Sequence, residues 1–357
     1  MALIKLSDMK IENADQLFRC FSGKKVLIIG DVMIDSYMWG PVHRISPEAP
    51  IPVVSINKRE NRLGGASNVA RNIKSLGAMP LTCSVIGDDD NALEFIRLLE
   101  NDGMDSSHIL KSSARKTSVK TRIISSGQHL LRVDEENTDA LNQTEFTSFT
   151  RRIEEVINTE KPDAIIFEDY DKGVLSPELI SFVVELAHKH HIPTTADPKQ
   201  KHFLGYQGVD LFKPNYHEMK TGLKTEFDRD NMPAIQGLGT KLIKDMGLKY
   251  VLLTLAEAGC VIISRDAMHQ VPAEIRDISD ISGAGDTVIA TATLCLTCGL
   301  GMKDIVYVSN LAGGLVCEYS GVVPVDKTEL INELKEKLPS FLANDHLGNR
   351  PYNSIGR

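Results

Sequence analysis

The segment DISGAGDTVIATATLCLTCG, residues 280–299, carries residue types suited to phosphoryl transfer. Small residues at 282–285 come directly before Asp286 and an apolar run of helical character. A glycine-rich turn at a helix N-terminus lets backbone N–H groups converge on an anion, and the helix dipole favours negative charge there. An Asp in the first helical turn could accept the proton of an attacking hydroxyl. The alternative is that Asp286 only caps the helix.

Two segments near the N-terminus have residues suited to a polyhydroxylated ligand. In RLGGASNVARNIKSLG, Gly64 and Gly65 allow close backbone approach, and Asn68 offers a carbonyl and an amide to hydroxyl groups. In IIGDVMIDSYMWG, Asp31 follows the first predicted strand and Asp35 comes four residues later, where sugar hydroxyls could donate to them. A loop with a helix cap and a plain turn-forming Asp are the competing interpretations.

The segment FKPNYHEM places Asn215 and Glu218 three residues apart, just after a predicted strand. Mg²⁺ prefers oxygen ligands and keeps several waters, so one carboxylate and one amide acting through water would suffice to hold it beside a nucleotide. An ordinary helix start with Asn215 as its cap explains the same spacing.

The elements that must position these residues alternate along the chain. Short apolar runs bounded by Gly, Pro, Asp or Asn predict strands at 26–30, 81–87, 164–169, 193–197, 209–215 and 251–256. Amphipathic segments between them predict helices at 68–76, 91–100, 145–158, 177–190 and 232–246. This order predicts an α/β fold, doubly wound, with a mainly parallel sheet and helices on both faces.

Two stretches interrupt this alternation and predict a small β lid over the site. They lie near 36–62 and 116–136, and the second has a predicted hairpin turn around Gly127. The predicted organisation is an N-terminal extension at 1–21, a catalytic domain at 22–338 and a weakly ordered tail at 339–357.

Composition narrows the classes of function. The 357 residues include 40 Lys+Arg and 48 Asp+Glu, a net charge of −8 without a basic block, which argues against a nucleic-acid partner. No apolar stretch is long enough for a membrane helix, and the N-terminus lacks a signal-peptide core, so we expect a cytoplasmic chain without membrane contact. Six scattered cysteines predict reduced thiols, including Cys295 and Cys298 inside the apolar run that follows Asp286.

The four segments, in this order, resemble the ribokinase-like (PfkB) carbohydrate kinase family over roughly residues 22 to 335, through GAGD, the upstream GGxxxN and NxxE. The phrases GDVMIDSYMWGPVHRISPEAPIPVV, HLLRVDEE and DPKQKHF are most similar to the family's D-glycero-β-D-manno-heptose 7-phosphate kinases. The resemblance implies ATP- and Mg²⁺-dependent phosphorylation of the anomeric hydroxyl of this phosphosugar, and leaves monovalent-cation dependence open. Relatives with a following nucleotidyltransferase domain have an HxGH-type motif that this sequence lacks, so we expect no adenylylation.

The resemblance also assigns roles to residues. It implies Asp286 as general base, with Gly283, Ala284 and Gly285 as the anion hole. The implied sugar contacts are Asp31, Gly64, Gly65 and Asn68, the implied metal-supporting pair is Asn215 and Glu218, and the implied ATP contacts are Thr254, Gly259 and the neighbourhood of Asn310. By their positions in the sequence, Asp35 is a further candidate for substrate binding and Asn215 for ATP binding. The segment TLAEAG departs from the Ser or Arg that relatives often carry after the strand threonine.

The lid offers cations for the phosphate that the substrate already carries. Arg44, Lys120, Arg122 and Arg132 lie in the lid segments, and the planar donors of arginine suit phosphate oxygens. A β lid often leaves edge strands that pair with a second subunit, so we expect a homodimer through the lid. A kinase for another sugar, phosphosugar or nucleoside, and a sugar-phosphate-binding regulator without catalysis, are the alternative functions.

Overall fold

The computed structural model describes residues 13–345. Its fifteen strands in chain order are β1 (Lys25–Gly30), β2 (Val32–Trp39), β3 (Val42–Ile45), β4 (Pro52–Val54), β5 (Lys58–Gly65), β6 (Met79–Gly87), β7 (Ile109–Ser112), β8 (Val119–Ser125), β9 (Gln128–Glu135), β10 (Ala164–Glu168), β11 (Thr194–Asp197), β12 (Leu211–Phe212), β13 (Tyr250–Thr254), β14 (Cys260–Ile263) and β15 (Met268–Val271). The helices described are α1 (Ala14–Phe21), α2 (Ala66–Ser75), α3 (Asp90–Asn101), α4 (Gln143–Glu160), α5 (Pro177–His190), α6 (Tyr216–Gly222), α7 (Met232–Met246), α8 (Ala284–Thr297), α9 (Met302–Val316) and α10 (Lys327–Asp345).

A nine-stranded sheet forms the centre of the molecule. Its order is β15-β14-β13-β12-β11-β10-β1-β6-β7, and all neighbours from β13 to β7 are parallel. Only β14 and β15 join antiparallel, at one edge. This arrangement confirms the predicted doubly wound fold, and it brings the carboxyl ends of the parallel strands to one edge of the sheet, where ligands bind in open α/β sheets.

Helices cover both faces of the sheet because side chains of successive strand residues point to opposite sides. In β1, Val26 and Ile28 join a core with α1, α2, α3, α8, α9 and α10. Leu27 and Ile29 join a second core with α4, α5, α6 and α7. The central strand is therefore apolar on both faces, as the near-continuous run VLIIG predicts.

The β lid is a four-stranded sheet of order β5-β2-β8-β9, and β3 and β4 form a separate two-stranded hairpin. Ser126 and Gly127 form the tight turn between β8 and β9, and both have positive φ. The strands β2 and β5 extend beyond the expected lid limits of 36–62. Asp35 and the two glycines at 64 and 65 therefore lie in lid strands rather than in loops of the central sheet.

The expectation of six reduced thiols is wrong for one pair. Cys20 in α1 and Cys298 at the C-terminal end of α8 form a disulfide, with Cα atoms 6.0 Å apart. The other four cysteines are free and buried, as expected for core thiols. The two bonded residues are 278 positions apart, so spacing along the chain gave no sign that α1 packs beside α8.

The chain ends also differ from expectation. Ala14, Leu17, Phe18 and Phe21 of α1 are buried in the core, although they fall in the predicted extension at 1–21. Helix α10 continues to Asp345, past the predicted boundary at Leu338, and the rest of the predicted tail, 346–357, lies outside the described residues. Among residues 13–345, no helix is both long and apolar enough to cross a bilayer.

Candidate active site

The glycine turn at 283–285 opens helix α8 at the carboxyl edge of the sheet. Gly283 is the N-cap residue with φ 83°, and no side chain caps the helix. A Cβ at Gly283 would lie 3.0 Å from Asn68 Nδ2, so a larger residue would crowd the site. The turn therefore has the left-handed conformation that close approach of an anion requires, although the Ala284 N–H already donates to the Ile281 carbonyl at 3.3 Å.

Asp286 lies in the first turn of α8 and is 4% exposed. Its two carboxylate oxygens accept hydrogen bonds from other elements: Asn68 Nδ2 donates to Oδ2 at 2.7 Å, and the Tyr170 hydroxyl donates to Oδ1 at 2.8 Å. These partners differ from the helix-cap interpretation, in which the carboxylate would accept from its own helix. The carboxylate is held in a fixed orientation at the edge of the glycine turn.

The electrostatic setting suits a base. Burial raises the pKa of Asp286 to about 6, although the hydrogen bonds from Asn68 and Tyr170 oppose the shift. Burial and the neighbouring carboxylates of Asp286 and Glu168 raise the pKa of Tyr170 well above its usual value, so its hydroxyl stays protonated and donates. Asp286 is therefore ionised near neutral pH and basic enough to take a proton.

Asp31 has partners other than those the sequence suggested. Its carboxylate accepts from the backbone N–H of Tyr170 at 2.8 Å, Lys172 at 3.0 Å and Val174 at 3.1 Å. Asp31 is 1% exposed, and burial raises its pKa against these hydrogen bonds. Its carboxylate orders the 170–174 loop, which supplies the tyrosine that contacts Asp286, and a direct sugar contact remains a prediction.

Gly64 and Gly65 make room for carboxyl and carbonyl oxygens of this chain. A Cβ on Gly64 would lie 2.1 Å from Asp35 Oδ2, and a Cβ on Gly65, where φ is 61°, would lie 2.3 Å from the Asp31 carbonyl oxygen. The Asp35 carboxylate in turn accepts from Arg122 Nη1 at 2.5 Å. The close approach predicted for these glycines is thus made to Asp35 of β2 and to Asp31, which directly precedes β2.

The four cationic side chains predicted to bind the substrate phosphate do not form a single cluster. Arg122 and Arg132 are cross-strand neighbours on β8 and β9, but Arg122 pairs with Asp35 and the largely exposed Arg132 pairs with Asp134. Lys120 Nζ lies 5.0 Å from the centre of the Tyr170 ring, beside the site. The fourth predicted cation, Arg44, is exposed on β3 in the separate β3–β4 hairpin.

Asn215 and Glu218 form a capping box at the start of α6, which was the alternative interpretation of their spacing. Asn215 Oδ1 accepts from the Glu218 N–H, and Glu218 Oε2 accepts from the Asn215 N–H, both at 2.8 Å. Glu218 Oε1 also accepts from Lys199 Nζ at 2.7 Å. The pair lies at the predicted edge of the sheet, and its metal-supporting role remains a prediction.

The remaining residues predicted to contact ATP lie along the β12–β15 side. Thr254 pairs with Asn215 in a parallel bridge. Gly259, at φ 86°, packs so closely on the end of β15 that a Cβ would lie 2.0 Å from the Val271 carbonyl oxygen. Asn310 Nδ2 donates to the Pro272 carbonyl at 2.9 Å. Gly259 and Asn310 therefore both contact the 271–273 segment.

Sequence reasoning missed a group of charged residues beside Asp286. Glu168 ends β10, Asp197 ends β11 and Lys213 directly follows β12. Carboxylate oxygens of Glu168, Asp197 and Asp286 lie within 4.8 Å of one another, and Lys213 Nζ lies 2.8 Å from Asp197 Oδ2. The usable signal was their position at the carboxyl ends of adjacent predicted parallel strands. Tyr170 gave no such signal, because it acts from an irregular loop.

The sequence model of the pfkB family carbohydrate kinases matches residues 23–328. The chain belongs to this family. It is 37% identical to the bifunctional protein HldE of Methylobacillus flagellatus over 87% of its length, and it spans 63% of that protein. It is 36% identical to HldE of Helicobacter pylori over 91% of its length, covering 69% of that relative. These similarities identify an ATP-dependent sugar kinase.

Solved structures with the same fold include two sugar kinases. Phosphofructokinase-2 from Escherichia coli, in complex with potassium, matches 88% of this chain and 99% of its own with a TM-score of 0.73 and 17% identity. Ribokinase from Arabidopsis thaliana, complexed with ribose and ATP, matches 88% and 99% with a TM-score of 0.67 and 15% identity. At these identities the likeness supports the ribokinase-like fold alone.

Proposed function

We propose that this chain phosphorylates D-glycero-β-D-manno-heptose 7-phosphate at the anomeric O1, with ATP as the donor. The observation that carries the chemistry is the Asp286 carboxylate, held by Asn68 and Tyr170 at the edge of the uncapped glycine turn. The heptose assignment is supported by the similarity to HldE proteins and by the lid and DPKQKHF segments.

In the proposed reaction the sugar hydroxyl attacks the γ-phosphoryl group in line. Asp286 takes the hydroxyl proton as the new O–P bond forms, and the bond to the bridging oxygen breaks to release ADP. Backbone N–H groups of Gly283, Ala284 and Gly285 and the α8 dipole stabilise the charge on the transferring group. Asn68 and Tyr170 keep the carboxylate oriented toward the acceptor.

Mg²⁺, as part of this proposal, would neutralise charge on the nucleotide phosphates. Asn215 and Glu218 have the amide and carboxylate oxygens that suit Mg²⁺, and they could support this ion through water. A potassium complex of a protein with the same fold makes a monovalent cation worth testing, by comparing potassium with choline chloride in the assay.

The substrate is tested by measuring ADP release with heptose 7-phosphate, free heptose, fructose 6-phosphate, ribose and adenosine. We expect kcat/KM to be greatest for heptose 7-phosphate, because the Lys120 and Arg122 side of the lid favours a second phosphate. Higher kcat/KM with a phosphate-free sugar would contradict the assignment. Absence of ADP release with every acceptor, together with retained phosphosugar binding, would favour the regulator.

We also propose a cytoplasmic homodimer that associates through the lid. All eight residues of β9 are exposed, including the apolar side chains of Leu130, Leu131 and Val133, and β9 is an edge strand. Exposed apolar edge strands favour pairing with a second copy. Light scattering coupled to size exclusion should give twice the chain mass, and Leu131→Lys should shift it toward one chain; a wild-type monomer at micromolar concentration would contradict the dimer.

A further inference from the structure

Two buried carboxylates beside Asp286, those of Glu168 and Asp197, have no part in the proposed reaction. Glu168 and Asp197 are register partners at the ends of β10 and β11, and they are 0% and 3% exposed. With Asp286 they bring carboxylate oxygens within 4.8 Å of one another. Like charges at this distance repel strongly in a poorly solvated site, so the grouping calls for a compensating ligand.

Several of these oxygens lack a hydrogen-bond donor. Among the residues that the structure describes, Glu168 Oε1, Glu168 Oε2 and Asp197 Oδ1 have no hydrogen-bond partner. The buried carboxylate of Asp31, by contrast, accepts from three backbone N–H groups. An unpaired buried carboxylate is costly, which makes the free oxygens of Glu168 and Asp197 suited to a cation.

The charged side chains in and around the cluster have a formal net charge of −2. The connected carboxylates are Glu168, Asp197, Glu218 and Asp286, and the ammonium groups among them are those of Lys199 and Lys213. Lys213 Nζ lies 2.8 Å from Asp197 Oδ2, and Lys199 Nζ lies 2.7 Å from Glu218 Oε1. Four carboxylates and two ammonium groups have a formal charge of −2, which a divalent cation would balance.

The position of the cluster connects it to the transferring group. A Cβ on Gly285 would lie 3.7 Å from Asp197 Oδ2 and 3.5 Å from Lys213 Nζ, so the cluster borders the anion-binding turn directly. The capping box is less available, because both oxygens of Glu218 accept hydrogen bonds from Asn215 and Lys199. Among the described residues of this site, the carboxylate oxygens without a hydrogen-bond partner, which could bind a cation, thus lie on β10 and β11.

We propose that Glu168 and Asp197 are the direct carboxylate ligands of a divalent cation, with Asp286 at the edge of the site still bonded to Asn68 and Tyr170. Oxygen-only donors suit Mg²⁺ and Mn²⁺, which keep water in their remaining positions until phosphate oxygens replace it. The role of this cation in catalysis rests on the proposed function. Its binding does not, because the ligands are provided without nucleotide or sugar.

The test is a titration of the full chain with Mn²⁺, without nucleotide or sugar, read by electron paramagnetic resonance of free Mn²⁺. We expect the wild type to bind about one Mn²⁺ that Mg²⁺ displaces, and Glu168→Gln to bind it at least about tenfold more weakly. Glu145→Gln is the matched control, since Glu145 is a buried carboxylate in the α4 capping box and Gln supports the same cap. It should bind Mn²⁺ like the wild type.

A second measurement separates loss of a ligand from loss of folding. In metal-free buffer Glu168→Gln should unfold at the same or a higher temperature than the wild type, because the buried Glu168 carboxylate lies beside Asp197 and Asp286 with both oxygens unpaired among the described residues, and a neutral amide avoids that repulsion. Millimolar Mg²⁺ should raise the unfolding temperature of the wild type and leave that of Glu168→Gln unchanged.

The outcomes distinguish this inference from the proposed function. Absence of Mn²⁺ binding by the nucleotide-free wild type, or equal binding by wild type and a folded Glu168→Gln, overturns the inference even if heptose 7-phosphate is phosphorylated. Mn²⁺ binding that depends on Glu168 supports it, and continues to do so if none of the tested sugars is phosphorylated. In that case the proposed function fails alone.

Discussion

Replacement of Asp286 by Asn tests the base assignment without disturbing the shape of the site. Asn keeps the size of Asp; its carbonyl oxygen can accept from Asn68 Nδ2, and its amide can donate to the Tyr170 hydroxyl, which rotates freely. The variant loses only the capacity to take a proton. We therefore expect it to fold and to bind ATP and sugar with nearly wild-type affinity.

The expected loss of rate follows from the burial of the site. Asp286 is 4% exposed, so water cannot readily replace the carboxylate as proton acceptor. General base catalysis contributes about 10² to 10⁴ in rate, and kcat should fall by that factor, equivalent to about 3 to 5 kcal/mol in the activation barrier. The wild-type kcat/KM should also fall below about pH 6 as Asp286 becomes protonated, whereas the variant should lack that dependence.

The assay is coupled ADP release between pH 5 and 8, with calorimetric titration of a non-hydrolysable ATP analogue as the binding control. Asp326→Asn is the matched variant, because the Asp326 carboxylate caps α10 through the N–H groups of Thr328 and Glu329 and Asn caps helices equally well. It should leave kcat unchanged. If Asp286→Asn retains kcat within a few-fold of wild type, Asp286 is not the base.

Three further perturbations follow from particular contacts. Tyr170→Phe removes a hydrogen bond that lowers the pKa of Asp286, so the acidic limb of kcat/KM should move to higher pH while the rate at high pH changes little; an unmoved limb would contradict the contact. Gly64→Ala should lower the free energy of unfolding, measured by urea titration, by about 1–3 kcal/mol, because the added Cβ would clash with Asp35. Gly237→Ala is the control: nothing lies within 4 Å of the added Cβ, so the free energy of unfolding should not fall. Thiol titration in denaturant should count four thiols per chain before reduction and six after it, and six at the start would exclude the disulfide.

The layered architecture could be predicted because its signals are local. Apolar runs such as VLIIG and AIIFED are buried on both faces, and their lengths and bounding residues indicate strands without knowledge of any partner. The same holds for the glycine turn before α8, whose unusual φ only glycine adopts readily. β12 was predicted at 209–215 but is limited to Leu211–Phe212, because pairing with β11 and β13 decides where a strand ends.

The contacts that define the site could not be predicted in the same way. Tyr170 and Asp286 are 116 positions apart, and their hydrogen bond depends on how Asp31 orders the 170–174 loop. The predicted sugar contacts at Asp35 and Gly64 are a mutual fit between β2 and β5, which no single segment reveals. Residue type indicated which side chains matter, whereas their partners depend on strand register.

The carboxyl edge of the sheet concentrates negative charge that folding alone does not favour. Asp31 and Asp197 have backbone or ammonium partners within the fold, but Glu168 has no hydrogen-bond partner among residues 13–345, and burial raises the pKa of Asp286 to about 6. Residues held in such unfavourable surroundings are characteristic of functional sites, because the unmet interactions are completed by the ligands. On this argument, ATP, the cation and the phosphosugar should each stabilise the folded chain, and the gain from the cation should depend on Glu168.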